Sequence, residues 1–343
     1  MALRVVLDTD PGIDDALAIL LALASPEVDL AAVGVTGGNC SLEQGVRNAL
    51  SVLALAGHSE VPVNPGIALP LIRPPFTAPE THGDTGLGYA RLPDSPAAPH
   101  SEHAVDLIIR EIMARPGEVT LVAVAPLTNV AVAIRKEPRI VQAVREVIIM
   151  GGALRVDGNT TSLAEFNFYV DPHAAHIVLE SGMPITLLPW DVTKDVVLTQ
   201  AHVDRLLELP SPISRFIADA TRFYIEFHQA TFGFAGCSIN DPVALALAFL
   251  PDLARTQAMH VAIEYTSELT AGKTVISYAG DHQREPDMHD MLGFDTARWP
   301  MQWGHQVRSK PNVRAVVGLD NDRFLNLFVE RVERLARAQL AQR

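Results

Sequence analysis

Short apolar runs rich in β-branched residues alternate along this chain with segments of helical period. The runs are "LRVVLDTD" at 3–10, "LAAVGVTGGN" at 30–39, "VTLVAVAP" at 119–126, "REVIIMGG" at 145–152 and "PITLLPWDV" at 184–192. Between several of them lie "DDALAILLALAS", "LEQGVRNALSVLALAG", "EHAVDLIIREIMAR" and "DPHAAHIVLESG". Near-continuous apolar strands separated by helices predict an α/β protein: an open, mostly parallel central sheet with helices on both faces. Such a sheet binds its ligand in the crevice beyond the carboxyl ends of the strands. Polar residues recur at those ends: Asp8 and Asp10, then Thr36 and Asn39, then Thr128 and Asn129, then Met150 and the glycines after it.

With 343 residues, 48% of them hydrophobic, the chain can bury a large core. No linker divides it, so a single domain over 1–343 is expected. Two irregular stretches interrupt the pattern. Residues 62–99 are proline-rich and contain "THGDTGLG"; residues 280–312 read as a loop insertion. Long loops inside a compact domain are usually functional or mobile. The formal net charge of -13 argues against a nucleic-acid partner and gives no support to binding at an anionic membrane. Two cysteines make no disulfide framework. No apolar run is long enough to span a bilayer, and the N-terminal residues do not read as a signal peptide. A soluble cytoplasmic protein is expected.

The first strand ends on an unusual concentration of charge. Asp8, Asp10, Asp14 and Asp15 fall within eight residues, and no basic residue lies between Arg4 and Arg47. Pro11-Gly12 breaks the strand, and Asp14 or Asp15 begins a helix. Acid in a first helical turn can serve only as a cap or a dipole partner. That accounts for one or two of the four acids. A cation is the simplest neutraliser of the rest, and oxygen ligands without His or Cys point to calcium or magnesium. A DxD after a strand also fits a magnesium-dependent phosphatase with an aspartyl nucleophile, a minor alternative.

Six stretches, in order, resemble one family. "DTDPGIDDALAI" at 8–19, "VGVTGGN" at 33–39, "APLTNVA" at 125–131, "VIIMGGA" at 147–153, "AEFNFYVDPHAA" at 164–175 and "NDPVALA" at 240–246 are similar to the calcium-dependent nucleoside hydrolases, the inosine-uridine preferring nucleoside N-ribohydrolases. The resemblance implies an open α/β sheet in one domain and a homodimer or homotetramer. It also implies hydrolysis of the N-glycosidic bond of a ribonucleoside, in purine or pyrimidine salvage.

The resemblance carries roles onto matching positions. Asp10 would be both a Ca2+ ligand and the general base that takes the proton of a water whose pKa the metal has lowered. Asp15, Asp241 and the carbonyl of Val124 would complete the protein's share of the metal shell. Asp14 and Asn167 would bind ribose hydroxyls, and Asn39 would stand near the ribose and the catalytic water. Asn159 and Glu165 would hold the 5′ side of the sugar, with Met150 packed beside it. Such a grip suits an oxocarbenium-like transition state. Each residue also has a plainer reading: Asn39 and Asn159 follow glycines and could occupy turns, and Glu165 and Asn167 could share one face of a surface strand.

One position departs from the family. Many members carry His just before the last metal-binding Asp, where it can protonate the leaving base. Here it is Asn240, and an amide is no acid. Candidates for the missing donor are His82 in "THGDTGLG" and His228 in "YIEFHQATFGF", with Tyr224 one turn earlier on the same helical face. Phe166, between two matched residues, is the aromatic expected to stack on the base. Asn240 also motivates a second reading, a riboside-binding relative with little or no hydrolase activity.

Overall fold

A computed structural model describes residues 2–278 and 310–341. Its centre is a nine-stranded sheet in the order β10-β9-β11-β6-β5-β4-β1-β2-β3. Seven strands run parallel: β1 (Leu3–Thr9), β2 (Val28–Val35), β3 (Val63–Pro65), β4 (Val119–Ala123), β5 (Glu146–Met150), β6 (Ile185–Leu188) and β11 (Val313–Leu319). β9 (Ala254–Ile263) and β10 (Thr274–Tyr278) close one edge antiparallel. A short antiparallel pair, β7 (Val197–Leu198) with β8 (Cys237–Ser238), lies apart from it. The mostly parallel sheet expected from the strand pattern is present, and the antiparallel edge adds to it. The insertion expected at about 280–312 lies, except for 310–312, outside the described residues.

Side-chain alternation along each strand sorts the core into two layers. Val5, Leu7, Val122 and Ile148 face one way and pack on α1 (Ile13–Ala24), α2 (Leu42–Leu55), α10 (Gln200–Leu207), α11 (Pro212–Phe232), α12 (Asp241–Phe249) and α13 (Asn321–Ala341). Val6, Leu121, Val147 and Ile149 face the other way, onto α4 (Ala104–Ala114), α5 (Thr128–Lys136), α6 (Ile140–Ala143) and α8 (Pro172–Leu179). Burial on both faces is why these strands lack polar alternation. Phe324 and Phe328 of α13 are fully buried, each worth about 1.5–3 kcal/mol of transfer free energy.

Three short helices, α3 (Pro79–His82), α7 (Phe166–Val170) and α9 (Trp190–Thr193), sit in the connections near the carboxyl ends of the strands. β1 is flanked by β2 on one side and β4 on the other. The chain therefore leaves β1 toward one edge and later continues toward the opposite one. At such a reversal the flanking loops splay apart and leave a crevice. The acidic stretch after β1 opens into that crevice.

Candidate active site

Gly12 caps α1, and Asp15 bonds back to it, Oδ2 accepting from Gly12 N at 2.9 Å. The same carboxylate accepts from Asp10 N at 3.1 Å, from Asn39 Nδ2 at 2.9 Å and from the Thr9 hydroxyl. Four donors thus fix Asp15 at the centre of the turn. Asp10 Oδ2 accepts from Asn39 N at 2.7 Å, whereas its Oδ1 is buried without a partner. Asp14 Oδ2 accepts from both the backbone N and the Nδ2 of Asn240, at 3.2 and 3.0 Å. Asp8 lies one layer deeper, with Oδ1 accepting from Asn129 Nδ2 at 2.8 Å and Oδ2 orphaned.

Carboxylate oxygens of Asp14, Asp15 and Asp241 lie within 4.8 Å of one another, all buried. Burial first, and the Asp15 charge second, push Asp14 up to about 7. Burial, followed by the charge of Asp15, raises Asp10 well above the usual carboxylate range, and burial, followed by the charge of Asp14, does the same to Asp241. Desolvation alone pushes Asp8 up to about 7, against the Asn129 hydrogen bond. Unpaired anions this close repel strongly. The donor set is all oxygen, and such a cluster fits a hard divalent cation; Asp10, expected as a ligand and holding an orphaned Oδ1, is not one of these three.

The residues that the resemblance matched to the sugar come from two other strand ends. Glu165 does not lie on a strand but caps α7, accepting from Asn167 N at 2.9 Å, Phe168 N at 3.3 Å and Gly152 N at 2.8 Å. Burial nevertheless pushes it up to about 7. Asn167 Nδ2 donates to the carbonyls of Val124 and Met150, at 3.1 and 3.2 Å, tying the ends of β4 and β5 together. Asn159 Oδ1 accepts from Phe166 N at 2.9 Å. No described residue other than glycine has positive φ, so neither Asn39 nor Asn159 is a left-handed turn residue.

Both candidate histidines are buried. His82, at the end of α3, accepts from Ile13 N through Nδ1 at 3.1 Å, so its Nε2 carries the ring proton in the neutral form. His228 donates from Nδ1 to the Tyr224 carbonyl at 2.8 Å. Desolvation lowers each to about 4. The Tyr224 ring lies 5.4 Å from that of His82 and 4.5 Å from that of His228.

Asp14, Asn39, His82, Val124 and Met150 line a single cleft with Asn159, Glu165, Phe166 and Asn167. Tyr224, His228, Asn240 and Asp241 close its other side. Asp10 and Asp15 lie next to it through Asn39 and Asp14. The cleft also takes in Trp190, Thr81, Thr160, Phe227 and Phe232. Trp190 follows the end of β6, as Met150 ends β5, so its place at a strand end was the available signal. Phe227 and Phe232 carry no cue beyond aromaticity on a helix.

The family model for inosine-uridine preferring nucleoside hydrolases matches residues 5–326. The chain belongs to this family. A pyrimidine-specific ribonucleoside hydrolase from Salmonella arizonae is 36% identical over 97% of this chain and 99% of its own length. An uncharacterized Schizosaccharomyces pombe protein is also 36% identical, over 97% and 100%. Among solved structures, a purine-preferring ribonucleoside hydrolase from Gardnerella vaginalis superposes with a TM-score of 0.85 at 34% identity, covering 98% of this chain and 99% of that one. A plant nucleoside hydrolase does so with 0.86 at 30%, covering 97% and 99%.

This nucleoside hydrolase therefore acts on the N-glycosidic bond of ribonucleosides, and the phosphatase and binding-only readings are set aside. No helix among the described residues is long and apolar enough to cross a membrane.

Proposed function

We propose that the crevice at the end of β1 grips the ribose of a nucleoside and delivers water to C1′ with Asp10 as general base. The observation that carries this is Asp10 itself: one carboxylate oxygen is fixed by Asn39 N, and the other is buried and unpartnered beside the cleft. Asp10, Asp15, Asp241 and the Val124 carbonyl would hold a divalent cation, with Ca2+ the best match to an all-oxygen set. When bound, that cation would lower the pKa of a water within reach of Asp10. Asp14 and Asn167 would bind ribose hydroxyls, with Asn39 beside the attacked face. Glu165, Asn159 and Met150 would hold the 5′ side, and Phe166 would stack on the base. Carboxylates around the sugar favour the positive charge that develops on it.

His82 would donate to the leaving base from Nε2, a reading supported by its Nδ1 accepting from Ile13 N, with His228 as its neighbour across the Tyr224 ring. Both purine and pyrimidine nucleosides are candidate substrates, since relatives of each preference match over nearly the whole chain. A single domain, a cytoplasmic salvage role and assembly as a homodimer or homotetramer complete the reading. Asp10→Ala tests it. With Ca2+ present, free ribose released from a nucleoside panel should fall by about 10²–10⁴, the contribution typical of a positioned general base. Turnover close to that of the parent protein would remove Asp10 from the mechanism.

A further inference from the structure

Asn240 stands where an acid is expected, and its amide orientation is fixed. The Nδ2 is committed to Asp14 at 3.0 Å, and the backbone N of Asn240 holds the same oxygen at 3.2 Å. The Oδ1 is left buried on the cleft wall with no hydrogen-bond partner. A carbonyl oxygen is only an acceptor. The wall therefore offers partial negative charge where an anionic leaving base would need a donor. Apart from His82 and His228, which desolvation keeps neutral, the rest of the cleft has the same character. Among the described residues, no lysine or arginine lines it, whereas Asp14, Glu165 and Asp241 do. Trp190, Tyr224, Phe227 and Phe232 present aromatic rings, whose faces attract cations.

From this wall we infer, building on the hydrolase reading above, that the preferred substrates are N-ribosides of a positively charged aromatic base, joined to ribose through a quaternary ring nitrogen. The chemistry of such a substrate needs no acid. The C1′–N bond breaks with its electron pair passing to the ring nitrogen, and the base departs as a neutral aromatic molecule. Water forms the new C1′–O bond and gives one proton to Asp10, from which it passes to solvent. Riboside cation and water thus become ribose, neutral base and a proton. Positive charge migrates from the base to the sugar, from the aromatic and carbonyl wall toward the carboxylates. A neutral nucleoside must instead separate charge or take a proton from a buried histidine.

The test is kcat/KM, by free ribose with Ca2+ present, for nicotinamide riboside as the cationic probe against uridine and inosine. We expect the cationic probe to exceed both by at least about tenfold, the equivalent of a single cation–π or carbonyl contact. Asn240→Leu should lower the ratio of cationic to neutral kcat/KM by about tenfold, and Asn240→His should lower it by raising uridine and inosine. Ribose is common to all three probes, so damage passed through Asp14 cancels in the ratio. Uridine or inosine turned over as fast as the cationic probe by the parent protein would overturn the inference and leave the hydrolase standing. So would a ratio unchanged in Asn240→Leu. Release from none of the three would sink both.

Discussion

Gly38→Ala separates the positioning of Asp10 from the stability of the fold. A methyl group built on Gly38 would lie 2.0 Å from Asp10 Oδ2 and 2.8 Å from its Cγ. Ordinary van der Waals contact begins near 3.4 Å, so the carboxylate must retreat by about 1.4 Å. Gly38 is not among the positive-φ glycines, so alanine is acceptable to the backbone and the whole effect is steric. Retreat also stretches the 2.7 Å bond from Asn39 N. A displacement of this size in a reacting group costs about 10² in rate. The overpacking itself costs about 1–3 kcal/mol, which is roughly 1–2 °C of melting temperature per kcal/mol in a chain this long. The assay is kcat by ribose release alongside thermal melting. Gly182→Ala is the control: its φ is +82° with nothing within 4 Å of the new methyl. It should lose about 1–2 kcal/mol through backbone strain and keep its kcat. A Gly38→Ala protein that melts lower but turns over within about threefold of the parent would refute the argument that Asp10 must occupy its observed position.

Two further expectations concern the buried carboxylates. Asp14 in the cation-free protein sits at about 7, above its ordinary 3.8, so its protonated form is favoured by folding. Stability is then greatest below the ordinary value and falls as pH climbs from about 4 through 7. Melting with chelator should therefore drop between about pH 4 and 7, and added Ca2+ should flatten the fall; identical slopes with and without the ion would count against a cation in this cluster. Glu165→Gln replaces a carboxylate that accepts three backbone N–H groups with an amide whose NH₂ must face one of them. It should cost about 1–3 kcal/mol and raise KM more than it lowers kcat; an unchanged KM would place Glu165 outside the sugar site.

The parallel sheet was legible because burial on both faces writes itself as continuous apolar runs. The crevice was legible because Pro11-Gly12 cuts β1 where the acids begin. The antiparallel edge was not, since β9 reads "ARTQAMHVAI" with four consecutive exposed residues, Arg255 to Ala258, in place of an apolar run. Glu165 and Asn167 were read as possible strand neighbours because spacing two suits a strand. In the structure, the acceptor geometry of a helix cap brings them together. Among twelve histidines, the pairing of His228 with Tyr224 was visible in their one-turn spacing on α11, whereas the packing of His82 against the Tyr224 ring is a long-range contact that no local pattern records. Trp190 escaped notice for the opposite reason: its position at a strand end was visible, but its one polar neighbour, Asp191, is taken up by the backbone of Leu154 and Arg155.

The unsatisfied atoms of the site carry more information than the satisfied ones. Asp15 is held by four donors from its own and the neighbouring loop, so in the cation-free protein its place is decided before any ligand arrives. Asp10 and Asn240 are each fixed by one end only, Asp10 through Asn39 N and Asn240 through Asp14. Burying a polar oxygen without a partner costs about 1–3 kcal/mol, and the fold sustains that cost at Asp10 and at Asn240, which the proposed mechanism sets at the attacked face and at the leaving-group face. Rigid neighbours hold both oxygens still. Interactions completed only with ligand in place are the kind that lower a barrier. On the proposed mechanism, the strain of the carboxylate cluster and the orphaned amide oxygen therefore belong to one arrangement, in which negative charge surrounds the sugar and, among the described residues, no lysine or arginine lines the cleft.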